Sequence, residues 1–212
     1  MPRLVWGAIG ERLYETGLDR GVLYIEDDPG VPWNGLISVS ETPDGGEAKP
    51  YYLDGIKYAN VSTAEEFAAT INAYYYPREF APCDGQANIQ NGLIVTQQPR
   101  RSFGMTYRTR IGNDVEGADF SYKIHLVYNA LTEPAQRSNQ TLGGSADPSS
   151  FTWSITTKPP TITGYKPTAH LVIDTRYTDP EILVEIEDIL YGTEADLSSL
   201  PAPDELIAIF SA

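Results

Sequence analysis

The sequence predicts a mostly β chain: a sandwich or barrel-like domain with one short amphipathic helix near the C-terminus and an extended arm at each end. Three observations lead there. Apolar and polar residues alternate with period two in segment after segment, clusters of Gly, Pro, Asp and Asn separate those segments, and one stretch alone shows a clear period near 3.6.

The alternation is plainest in "FTWSITTK", where Phe151, Trp153 and Ile155 share one face and Thr152, Ser154 and Thr156 the other, as a half-buried strand requires. "FGMTYRTRI" sets Phe103, Met105, Tyr107 and Ile111 against Thr106, Arg108 and Arg110. "YKIHLVY" sets Tyr122, Ile124, Leu126 and Tyr128 against Lys123 and His125, so these two strands bracket a loop as a hairpin. Further strands are expected at 21–26, 35–41, 50–61 and 168–176. Residues 62–77 open on a capping-box pattern, Ser62-x-x-Glu65, that suits a helix start. The alternation of Phe67, Ala69, Ile71, Ala73 and Tyr75 favours a strand instead.

The helix is expected over 180–191. Asp179 suits the N-cap and Pro180 the first turn, Ile182, Leu183, Ile186, Ile189 and Leu190 form an apolar stripe, and Gly192 suits the end. From Asp179 onward there are nine Asp and Glu residues and no Lys or Arg. The organisation read from this is an N-terminal arm (1–16), a β-domain (17–192) and an acidic C-terminal arm (193–212). The last of these ends in "LIAIF", an apolar run that calls for a docking place on its own domain or on a neighbour.

A chain of 212 residues with 41% apolar and 11% aromatic content can bury roughly 70% of its unfolded surface. Its net charge of −14 argues against general nucleic-acid binding, which draws on clustered Lys and Arg. The only cysteine, Cys83, leaves no internal disulfide or thiolate metal cluster. No apolar run has the length of a membrane span or of a signal-peptide core.

Phosphate-binding, zinc-protease and nucleophile-elbow motifs are absent from the sequence. A zinc site built on the only two histidines, His125 and His170, would need carboxylates to complete it; strand histidines more often face water or a polar partner. Asp114, Glu116 and Asp119 are hard oxygen donors in a glycine-containing loop, but their spacing is not that of a calcium-binding EF-hand loop, and turn chemistry accounts for them. No catalytic, cofactor-binding or metal-binding residue is assigned. The fourteen tyrosines and three tryptophans suit a subunit interface or a sugar-binding surface equally.

The phrases "GVPWNGLISVSE", "GGEAKPYYLDGIKYANV", "GLIVTQQPRRSFGMTYRTRIGNDVEG", "YKIHLVYNA", "GYKPTAHLVIDTR" and "EDILYGTEADLSSLPAPDELIAIF" resemble, in this order, the major tail proteins (tail tube subunits) of long-tailed bacteriophages of actinobacteria. The likeness runs from about Gly17 to the C-terminus. It implies a tail tube β-domain whose copies form hexameric rings, stacked into a hollow conduit that delivers the genome into the host. It further implies a place in the virion after synthesis in the bacterial cytoplasm, no enzymatic activity and no membrane. The partners it implies are the tape measure, tail terminator and baseplate or tail-tip proteins. DNA would pass the lumen without specific binding, which an acidic wall favours because like charge does not hold phosphate.

Within such an assembly, Asp114, Glu116 and Asp119 are candidates to pair with Arg100, Arg101, Arg108 or Arg110 of a neighbour. The alternatives are a carbohydrate-binding β-sandwich, supported by the aromatic content alone, and a hydrolase with a carboxylate pair, supported only by abundant acids.

Overall fold

The structure is a computed structural model that describes residues 3–26, 28–141 and 148–211. Residues 1–2 and 212, the extremes of the two expected arms, lie outside the described residues, as does 27. Strands β1 (Tyr14–Tyr24), β2 (Val31–Pro32) and β3 (Leu36–Glu41) come first, then β4 (Asp44–Gly45), β5 (Ala48–Leu53), β6 (Ile56–Ser62) and β7 (Glu65–Glu66). Strand β8 (Ala68–Ala73) leads through a 3-10 turn, Arg78–Phe80, to β9 (Ala87–Gln90) and β10 (Leu93–Val95). The long strands β11 (Phe103–Asn113) and β12 (Gly117–Thr132) precede β13 (Phe151–Thr157), β14 (His170–Asp174), α1 (Pro180–Tyr191) and α2 (Pro203–Ser211).

One antiparallel sheet in the order β2-β1-β11-β12-β13-β8-β3, with β14 also paired to β12, forms the body. Each expected strand contributes to an observed one, and 62–77 yields strand β8 rather than a helix. The sheet curls until its outlying strands meet. A Cβ at Gly21 on β1 would lie 2.7 Å from Leu36 Cδ2 at the start of β3, so the absence of a side chain at position 21 permits the closure.

Two apolar clusters fill the two faces of the sheet, and the alternation decides which residue joins which. Leu23, Ile71, Phe103, Met105, Val127, Trp153 and Ile155 point into the curl. Their sequence neighbours Val22, Tyr24, Ile124, Leu126 and Tyr128 point outward, where α1 and α2 cover them with Ile186, Leu190 and Leu206. Strands β11 and β12 are therefore buried on both faces, which half-buried alternation alone does not anticipate.

Aromatic rings dominate the inner cluster. Phe80, on the 3-10 turn, lies 4.6 Å from Trp33, 5.1 Å from Trp153 and 5.3 Å from Phe103 between ring centroids. Both indole N–H groups find acceptors: Trp33 donates to the Tyr75 carbonyl and Trp153 to Asp84 Oδ1, each at 3.1 Å. Cys83 is buried in the same cluster, and burial pushes its thiol up to about 12.

Helix α1 occupies the expected residues. Asp179 accepts from the Glu181 amide at 2.9 Å, Pro180 opens the first turn, and Gly192 closes the helix at φ 78° with its N–H on the Asp188 carbonyl. The C-terminal segment then turns back onto its own domain. The Ser199 amide donates to Ile189 O (2.8 Å), the Tyr128 hydroxyl to Pro201 O (3.0 Å), and Thr163 to both oxygens of Asp204 (2.9 Å each). Helix α2 is an addition to the single helix expected, and it seats Leu206 in the outer cluster.

Removing the ring at the centre of the inner cluster should be costly, because the curled strands cannot collapse around the cavity. Phe80→Ala is expected to lose about 3–5 kcal/mol, measured by urea unfolding, and a loss below about 1 kcal/mol would show that the cluster does not support the curl.

Candidate functional site

The residues singled out as subunit contacts gather around the β11–β12 hairpin. At its tip Asn113 Oδ1 accepts from the Val115 and Glu116 amides at 3.0 and 2.5 Å, an Asx-turn that leaves Asp114 and Glu116 exposed. Asp114 Oδ1 accepts from the Gly10 amide at 2.9 Å, with Arg12 Nε 3.9 Å from its other oxygen. This acid therefore ties the N-terminal segment to the hairpin.

Arg108 is an internal group rather than a contact residue. Its Nε and Nη2 donate to the two oxygens of Asp19 at 2.8 and 3.0 Å, and its guanidinium lies 4.3 Å from the Tyr122 ring centroid, beneath α1. The fork geometry and burial explain why: an arginine on the helix-covered face needs a bidentate carboxylate. Hydrogen bonding from Arg108 holds the Asp19 carboxyl below the usual carboxylate range. Arg110 shares Asp19 Oδ2 at 3.0 Å and reaches Asp119 Oδ1 at 2.8 Å. Arg101 lies 3.8 Å from Glu26 at the surface, and Arg100 is half-buried beside Gly85. Of the expected pairs, the structure thus brings together Arg110 and Asp119, within one chain. Asp19 was not singled out, because nothing local marks an acid in the middle of a β-strand; only the register Asp19↔Arg108 reveals it.

Large apolar surfaces lie elsewhere. The β3–β8 pair continues outward as a ribbon, β4 with β7 and then β5 with β6. At the β5–β6 turn, Asp54 and Gly55 both take positive φ (49° and 79°), the conformation a two-residue Asp-Gly turn requires. Tyr51, Tyr52, Leu53, Ile56, Tyr58 and Val61 are each 55% to 77% exposed on this ribbon. The N-terminal segment adds Leu4, Val5, Trp6 and Ile9, and the β9–β10 ribbon adds Ile89, Leu93 and Ile94, all exposed.

Inside the curl, strands far apart in sequence bring Glu41 (β3), His125 (β12) and His170 (β14) together. His125 Nδ1 lies 3.1 Å from His170 Nε2 and 3.6 Å from Glu41 Oε1, and His170 Nε2 lies 3.9 Å from that same oxygen. His125 Nε2 is 3.0 Å from Thr109 Oγ1, and the Tyr107 hydroxyl donates to Glu41 Oε1 at 3.0 Å. Tyr107 and His125 stack at 4.6 Å. Glu41 and His170 line a cavity of about 760 Å³ bounded also by Phe67, Thr168 and Lys166. Burial, with His170 alongside, brings His125 down to about 4, and burial also lowers His170. Both imidazoles are neutral at pH 7. The sequence places the histidines on strands; their convergence with Glu41 depends on the curl and left no local signal.

Because the unfolded chain protonates His125 near pH 6.5 and the folded chain only near 4, the folded state loses stability as pH falls through that window, and the lowering of His170 acts in the same direction. Chelator-treated protein is expected to be up to about 3 kcal/mol less stable at pH 4 than at pH 7 from His125 alone. A double replacement, His125→Gln with His170→Gln, should flatten the urea-unfolding stability profile between these limits, and an unchanged slope would refute the assignment.

No known protein family matches the chain, and no curated protein matches it. Among the solved structures similar to it are two from the anti-feeding prophage. One is that of the anti-feeding prophage cap (AFP tube terminating cap), with a TM-score of 0.42 and 11% identity over 82% of this chain and 97% of that one. The other is the anti-feeding prophage (AFP) baseplate, 6-fold symmetrised, with a TM-score of 0.40 and 9% identity over 80% and 97%. These are distant likenesses, and the functional reading rests on the chain's own surfaces and sequence. Among the described residues, no helix is long and apolar enough to cross a membrane.

Proposed function

We propose that the chain is a structural subunit of a phage tail, whose copies associate into hexameric rings stacked as a tail tube, without catalysis. The observation that carries this reading is the β5–β6 ribbon. Six residues of β5 at about 3.3 Å each project it roughly 20 Å from its base. A two-stranded ribbon is marginal in water by itself, and this one displays six large apolar side chains. Covering them on a second copy is worth about 1–2 kcal/mol each, or roughly 6–12 kcal/mol together. Association itself costs on the order of 4–15 kcal/mol, so the ribbon needs the exposed N-terminal and β9–β10 residues as further contacts. That requirement fits a subunit held on several sides, as ring and stack contacts hold it.

The tyrosines of the ribbon stand on a projecting arm instead of lining a concave site, which favours assembly over sugar binding. The net charge of −14 supports a lumen that does not retain DNA. The sequence resemblance supports the tape measure, terminator and baseplate or tail-tip proteins as partners, and the virion as the location.

Negative-stain electron microscopy of the purified protein is expected to show rings or tubes about 100 Å wide. Combined replacement of Tyr52, Ile56 and Tyr58 by serine should abolish them while circular dichroism and the unfolding midpoint stay unchanged. Tubes formed equally well by this variant would overturn the role of the ribbon, and a wild-type protein that stays monomeric at high concentration and binds saccharides would overturn the reading as a whole.

A further inference from the structure

We infer that Glu41, His125 and His170 form a binding site for one divalent transition-metal cation of the zinc class. The inference concerns a single chain and does not depend on assembly.

The donor set comes first. Two imidazole nitrogens and one carboxylate oxygen suit zinc and its neighbours, whereas calcium and magnesium prefer oxygen throughout. Geometry comes next. Ligands at about 2.0–2.2 Å around a tetrahedral ion stand about 3.3–3.6 Å apart. The three separations seen here, 3.1, 3.6 and 3.9 Å, bracket that value. Shifts of a few tenths of an ångström in side-chain torsions bring the donors to one point. A fourth position is left toward the cavity, which also gives the ion its way in.

Surrounding groups orient the ligands. His125 Nε2 lies 3.0 Å from Thr109 Oγ1; in the metal-binding tautomer Nε2–H donates to that oxygen and the lone pair is on Nδ1, the atom that faces Glu41 and His170. The Tyr107 hydroxyl holds Glu41 through Oε1. With His125 in that tautomer, the 3.1 Å contact in the metal-free chain is a donation from His170 Nε2–H to His125 Nδ1. On binding, that proton moves to His170 Nδ1, so both lone pairs turn to the ion and no net proton leaves. Lys123, the cation acting on His125, is itself paired with Glu15. Lys166 lines the far part of the cavity.

The consequence lies in the topology. Glu41 ends the edge strand β3, while His125 and His170 sit on β12 and its partner β14. An ion held by all three would staple the edge of the curled sheet to its centre, adding a coordinate link to a closure otherwise made by packing and the Tyr107–Glu41 hydrogen bond.

The test uses the full chain, stripped with a chelator and titrated with zinc chloride against a chromogenic competitor. The expected result is one zinc per chain, a raised unfolding midpoint, and no response to calcium or magnesium at equal concentration. Glu41→Gln, at the solvent-facing rim, should weaken zinc binding more than tenfold while the metal-free chain keeps its native circular dichroism, and His170→Ala should abolish stoichiometric binding. Less than one equivalent bound by the wild type, an equal response to calcium, or undiminished binding by both variants would overturn the site.

Discussion

Strand β12 gives one edge to β11 along its length and divides the other, with β14 on Lys123–Val127 and β13 on Ala130–Thr132. The division falls at Asn129, which takes a left-handed φ of 49° and donates through Nδ2 to Lys158 O at 3.1 Å. An extra residue there breaks the ladder to β11 between Met105 and Phe103, the behaviour of a bulge, which bends the strand and increases its twist. Upstream of the bulge, Ile124 and Leu126 lie in the cluster that α1 covers; downstream, Ala130 lies in the cluster of Phe80 and the tryptophans. The bulge thus stands where β12 passes from one partner strand to the other.

The charges follow from the same layering. A strand covered on both faces leaves the Arg108 side chain only 10% exposed, and the register with β1 sets Asp19 opposite it. The inner face makes the corresponding demand of His125, which meets it with Thr109, His170 and Glu41. Polar groups near the bend are thus satisfied within the chain. What lies beyond the curl is different in kind: the β4–β7 base continues into the β5–β6 tip, which carries apolar surface that no described residue covers. Among the described residues the body pairs its buried polar side chains with two exceptions, Arg100 Nε and the Tyr191 hydroxyl, whereas the ribbon leaves its apolar side chains exposed.

Much of this was legible in the sequence where the governing contacts are local. Helix α1 was set by Asp179, Pro180, the stripe from Ile182 to Leu190 and Gly192, each acting within a turn or two, and its limits match. The strands at 103–113 and 151–157 were legible because their alternation is uninterrupted. Helix α2 was not: nine residues are too few to be stable alone, Pro201 and Pro203 read as linker, and the helix owes its place to Leu206 entering a cluster built by other elements. The internal role of Arg108 and the convergence of Glu41 with two histidines were illegible for a related reason. Both depend on pairings between strands far apart in the chain, and a lone sequence records the residues but not the register.

The position of Cys83 has a practical side. Packed among Phe80, Trp33 and Trp153, with its thiol pushed up by burial, the chain's single cysteine is shielded from alkylating reagents while the curl is closed. Its rate of modification therefore follows the opening of the aromatic cluster and is indifferent to movements of the ribbon or the N-terminal segment. The thiol is thus a single chemical clock inside the body of the fold.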